Sequence, residues 1–264
     1  TLCRPEAHRP NGLGGKLPEE VFASLKKVCI RYAGYNYIDK FKQNGIRPGY
    51  IFKKCPITIK KDNKNQLRCV FTTKIKGAFG KEDIIKLPFP AYPYGTTLLQ
   101  EGECFDFRYT CEYSQGSDRP LFEIVSQKVE AKILNCHKNI GAIELQDGST
   151  KKVMFDNKNW ILKQILSEDG VKLAIPLIVK GHLASLDTEE LQQRVNNISG
   201  NRFVVQIIVT NTKGYWVLCL KERVIGFIVK HTRLPLLNIG DTLDCSIYKK
   251  YKERITFNYL RKIR

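Results

Sequence analysis

Phe203-Val204-Val205-Gln206-Ile207-Ile208-Val209 opens the stretch that decides the fold. Lys213-Gly214-Tyr215-Trp216-Val217-Leu218 follows, then Val224-Ile225-Gly226-Phe227-Ile228-Val229. Leu237-Asn238-Ile239-Gly240-Asp241-Thr242-Leu243 leads into a fourth run, and Arg254-Ile255-Thr256-Phe257-Asn258-Tyr259-Leu260 ends the set. These runs are rich in β-branched and aromatic residues and bounded by Gly, Asn and Asp, which is how strands and their turns read. Five strands are expected: Phe203–Asn211, Tyr215–Leu220, Val224–His231, Thr242–Tyr248 and Ile255–Leu260. Such close spacing without interleaved helices points to a small closed sheet. A doubly wound parallel sheet needs a helix after each strand, and none fits here.

Working outward, the same texture continues toward the N-terminus. Strands are expected at Ala131–Cys136, Gly141–Gln146 and Thr150–Phe155, with helices at Trp160–Leu166 and Thr188–Val195. The second helix has Asp187 or Thr188 as its cap and Glu189 and Glu190 in its first turn. Earlier still, alternation predicts strands at Tyr50–Ile59, Leu67–Lys76, Glu103–Tyr113 and Leu121–Val129. The Pro-rich run Leu87–Gly95 is expected to be a surface loop, because Pro cannot serve a central strand. The first 17 residues read as an extended arm, and Pro18-Glu19-Glu20 starts an amphipathic helix through Tyr32.

Charge narrows the function. The 264 residues carry a formal +18, and its distribution is uneven. Residues 129–199 hold 9 basic and 9 acidic groups, whereas 200–264 hold 13 and 4, for +9. Half the excess therefore lies in the last quarter of the chain, which suits a polyanion-contacting module. No apolar run approaches the roughly 20 residues of a membrane span, so no membrane role is expected. Nine cysteines, an odd number without CxxC or zinc-finger spacing, read as reduced, mostly buried thiols of a cytoplasmic protein. The chain does not start with Met, as for a processed product or a piece of a longer polypeptide.

Catalytic patterns are missing. Cys136 and His137 are adjacent, which sets them on opposite faces of a strand and separates a nucleophile from its base. His8, His137, His182 and His231 are isolated from one another in sequence, and no GxxxxGK[ST] or GxGxxG occurs. Gly12-Leu13-Gly14-Gly15-Lys16 has no strand before it. No catalytic residue, metal or cofactor is expected.

The last five strands resemble the S1 RNA-binding domain, a five-stranded OB-fold barrel. Its aromatic-glycine-x-aromatic second strand is similar to Lys213-Gly214-Tyr215-Trp216, and its glycine-led third strand to Gly226-Phe227-Ile228-Val229. Its approach to the fourth strand is similar to Asn238-Ile239-Gly240-Asp241-Thr242-Leu243. Two positions depart: Lys213 replaces the first aromatic, and Val229 stands at the third-strand His, with His231 two residues on. Residues 130–156 resemble the opening of a cold-shock domain, through Glu130–Asn135, Lys138–Ile143 and Val153–Asp156. There Ile140, Ala142 and Met154 replace the stacking aromatics and Asp156 the third-strand His, so this segment reads as a structural spacer.

OB barrels bind through strands two and three and through the loops joining strands one–two and four–five. The first loop holds Lys213, and the second holds Lys249, Lys250, Tyr251, Lys252 and Arg254. Tyr215, Trp216 and Phe227 stand on the strands, with His231 and Arg233 just beyond. Tyr215 and Trp216 point to opposite faces, so one is expected in the core and the other exposed. Trp216, at the position where the resemblance implies stacking, is expected to be the exposed ring.

The expectation is thus a mostly β protein of tandem OB-fold-like five-stranded barrels with an N-terminal helical segment. Its divisions are an arm and helix at 1–48, a β-rich OB-like domain at 49–128, a cold-shock-like domain with a helical insert at 129–199, and the S1-like domain at 200–264. Its expected function is non-catalytic binding of single-stranded nucleic acid, RNA by the two resemblances, with single-stranded DNA open on charge and rings alone. The rival is an adaptor holding protein partners in a larger ribonucleoprotein or other assembly, or the accessory part of a nuclease or helicase.

Overall fold

The computed structural model describes residues 40–61, 67–77, 81–90, 94, 97–111, 121–156, 158–166 and 170–263. The expected arm and amphipathic helix lie outside the described residues. The chain divides into two compact units, residues 1–125 and 126–264. It is mostly β, and among the described residues no helix is long and apolar enough to cross a membrane.

The first unit holds β1 (Ile51–Lys61), β2 (Leu67–Lys76), β3 (Glu82–Phe89), β4 (Cys104–Cys111) and β5 (Leu121–Ile124). They form one antiparallel sheet in the order β3-β2-β1-β4-β5. Alternation drives it: Phe107 and Tyr109 are buried while Arg108 between them is exposed. Phe71 and Phe107 stack at 4.0 Å, with Phe52, Phe89 and Phe122 packed around them. One expectation needs correction. Leu87-Pro88-Phe89 is part of a strand, because Leu87 and Phe89 both turn into this core and β3 is an edge strand, where Pro is tolerated. The OB-like domain expected here has its five strands in one sheet, and among the described residues no β3–β5 pairing closes the ring.

The second unit contains two closed five-stranded barrels. The middle barrel comprises β6 (Gln127–His137), β7 (Ile140–Glu144), β8 (Thr150–Phe155), β9 (Val171–Lys180) and β10 (Leu183–Leu186). Helix α1 (Trp160–Ile165) lies between β8 and β9, and α2 (Thr188–Asn197) follows β10. The last barrel comprises β11 (Phe203–Asn211), β12 (Gly214–Cys219), β13 (Ile225–Val229), β14 (Thr242–Lys250) and β15 (Ile255–Lys262). In each, the first strand sits between the second and fourth, and the third meets the fifth in parallel to close the ring. This is the OB-fold order. The run Leu121–Val129, expected as one strand, is broken at Val125-Ser126 between the two units.

The glycines quoted for the S1 resemblance have a steric cause. A Cβ on Gly214 would lie 2.1 Å from the Ile228 carbonyl oxygen, and one on Gly226 would lie 2.3 Å from the Phe257 ring. Backbone and core approach too closely at both for any side chain.

The two barrels are not independent beads. Ile208, Val209, Trp216, Leu218 and Ile225 of the last barrel join the core of the middle one, which includes Ile161, Leu162 and Ile165 of α1. Polar contacts fasten the same seam. Arg194 of α2 donates to the Arg223 carbonyl at 3.2 Å, and Arg223 donates to the Ala174 carbonyl at 2.9 Å. Two segments with different sequence resemblances therefore share one apolar interior.

Candidate nucleic-acid interface

The last barrel presents two basic loops. In the β11–β12 connection, the Asn211 side-chain oxygen accepts from the backbone N–H of Lys213 and Gly214, both at 2.9 Å. This local turn holds Lys213 out in solvent. In the β14–β15 connection, the Tyr251 N–H donates to the Arg254 carbonyl at 2.9 Å and closes the tip. Lys249, Tyr251 and Lys252 are exposed there. The Lys249 ammonium lies 5.2 Å from the Tyr251 ring centroid and the Arg254 guanidinium 4.4 Å from it.

Of this barrel's four acids, Glu253 lies in the second loop between Lys252 and Arg254, Glu222 accepts from the Cys219 thiol, and the other two neutralise cations elsewhere. Asp244 pairs with Arg261 at 3.2 Å and Arg202 at 4.0 Å, and Asp241 pairs with Lys262 at 2.7 Å. The Asn238 N–H and the Lys262 ammonium hold the Asp241 carboxyl below the usual carboxylate range, so that pair stays ionised. Among the described residues no carboxylate pairs with Lys213, Lys249, Lys252 or Arg254. Lys250 differs: its ammonium donates to the Ile198 carbonyl at 2.8 Å, so it ties the loop to the end of α2.

The strand residues are placed differently from expectation. Tyr215 and Trp216 are both buried, at 3% exposure each. Tyr215 faces the interior of its own barrel, and Trp216 faces the core shared with the middle barrel. The expectation of one exposed ring assumed that the outer face of β12 meets water. Instead α1 covers that face, and all six residues of β12 are buried. Phe227 is half-buried and lies 5.1 Å from Trp216, between ring centroids. His231 and Arg233 are exposed, with the Arg233 N–H donating to His231 Nδ1 at 3.3 Å. They follow β13 on the Lys213 side, where the Lys230 N–H donates to the Lys213 carbonyl at 3.0 Å.

Helix α1 occupies the ground between the two loops. Its cap is Asn159, whose side chain accepts from the Leu162 N–H at 3.0 Å. At one end Trp160 meets Trp216 at 5.7 Å and the Arg254 guanidinium at 5.0 Å. At the other, Gln164 accepts from Asn211 at 3.5 Å. Sequence reading missed Trp160. The signal was present, since Trp160 is one of only two tryptophans and begins a helix whose apolar residues fall on the opposite side.

Other chemistry is spoken for. A cavity of about 450 Å³ beside α2 is lined by Glu130, Asp147, Asp187 and Glu190 with Lys128 and Arg194. Arg194 binds Glu130 and Glu190, and Lys128 binds Asp187 at 3.1 Å, which holds that ammonium above the usual lysine range. A wall with this excess of carboxylates repels phosphate. In β6, Cys136 is buried and His137 exposed, on opposite faces. Burial pushes the Cys219 and Cys245 thiols up to about 12, away from thiolate reactivity. Among the described residues no group of three or more His, Cys, Asp or Glu could hold a metal ion.

No protein-family model matches the chain, and no curated protein matches it. Among solved structures, the chain is similar to a multidomain protein with nucleic acid binding domains from Streptococcus pneumoniae, at 12% identity and a TM-score of 0.33. That similarity covers 80% of this chain and 73% of the other.

Proposed function

We propose that this chain binds single-stranded nucleic acid, without catalysis, through the two loops of its last barrel. The observation that supports this reading is the set of unneutralised cations there: Lys213 on one loop, and Lys249, Lys252 and Arg254 on the other, interleaved with Tyr251. Cations follow the phosphate backbone, and rings take unpaired bases, which a duplex keeps stacked inside. RNA is the proposed partner because the last barrel resembles S1 domains and the middle one cold-shock domains. Lysines and rings alone do not sense the 2′-OH.

The test is the anisotropy of a labelled single-stranded 12-mer of uridines, titrated with the full chain across a salt series. Four phosphates neutralised by these cations give a log–log slope of about −3. Binding that ignores salt, or no binding at 50 mM salt, overturns the proposal.

A further inference from the structure

In a barrel of this kind the open face of the second and third strands would carry the bases, but here α1 lies over it. Any strand running between the two basic loops must therefore cross the outer surface of α1. That surface is built from Trp160, Lys163 and Gln164, which share one helix face by their i, i+3 and i+4 spacing. All three are exposed, Trp160 by 51% despite being the largest apolar residue type. Beneath them, Ile161, Leu162 and Ile165 are fully buried and anchor the helix.

From these placements we infer that Trp160 is the stacking platform of the nucleic-acid site, and that the middle barrel supplies it to the last barrel's loops. The inference rests on the binding function proposed above and assigns that function a residue outside the last barrel. Three features prepare the ring. Helix packing fixes its backbone, Trp216 and Arg254 contact it, and about half of it stays open to solvent. A rigid, pre-placed ring loses little freedom when a base stacks on it. Lys158 and Lys163 are exposed beside the ring, with Asp156 next to Lys158.

Because the chain has only two tryptophans, emission can report the contact directly. The Trp216→Phe variant keeps a ring in the shared core and leaves Trp160 as the sole tryptophan, excited selectively at the red edge where tyrosine does not absorb. Adding the uridine 12-mer to the full-length variant is expected to quench that emission in parallel with binding. Trp160→Ala is expected to weaken binding about 5- to 150-fold, with the salt slope unchanged because no phosphate contact is lost. If Trp160→Ala fails to fold, quenching in the Trp216→Phe protein still decides the matter. Salt-dependent binding with no quenching and no loss in Trp160→Ala overturns this inference and leaves the binding function standing. A parent chain that binds no oligonucleotide overturns both.

Discussion

Trp216→Ala is expected to remove about 3–5 kcal/mol of folding stability from residues 126–264, because it leaves a cavity in a core that two barrels share. Trp216 touches Trp160 and Phe227 by its ring and is 3% exposed, so no solvent-facing partner compensates. A domain of this kind has only about 5–15 kcal/mol in total, so the loss is a large share of the whole. Urea unfolding followed by circular dichroism measures it. The midpoint should fall, and both barrels should respond together because the seam runs through their common interior. The opposite outcome, a parent-like midpoint with weakened oligonucleotide binding, would place Trp216 against the ligand.

The second large effect concerns charge. Replacing Lys213, Lys249 and Lys252 together with Gln should flatten the salt slope by up to about 2 units, at about 0.7 per phosphate contact on a single strand. At 0.1 M salt this corresponds to roughly a hundredfold loss of affinity. All sequences should weaken alike, since phosphate contacts carry no sequence information. Lys250 is left out of the set because its ammonium is held by the Ile198 carbonyl. Lys250→Gln alone should therefore shift stability more than slope. A triple variant that binds like its parent at every salt concentration would reduce both loops to solvated turns.

What the sequence made legible follows its physics. Strands β2, β8 and β11 match the expected ranges residue for residue, because each alternates or runs apolar between clear turn residues. Helix α2 was readable from Asp187 and its acidic first turn. Strand β3 was hidden by Pro88, whose position on a sheet edge is a tertiary fact. Strand β9 carries Pro176 at its centre and β10 has four residues, so neither gives a periodic signal. The site divided along the same line. Its loop cations could be read directly, because exposed lysines beside turn residues need no neighbour to be where they are. Trp216 could not, because burial by a helix from another barrel leaves no trace in the local pattern. Trp160 was legible in part: Ile161, Leu162 and Ile165 mark the buried face of its helix, but the nearness of Arg254 and Trp216 is a tertiary fact.

Ultraviolet cross-linking of the full chain to cellular RNA, with peptide-level mapping of the linked residues, tests the central claim most directly. The account predicts links to peptides spanning Lys249–Arg254 and Lys158–Lys163, with Tyr251 and Trp160 as the reactive rings. Links confined to residues 1–125, or no RNA recovered with the chain, would contradict it.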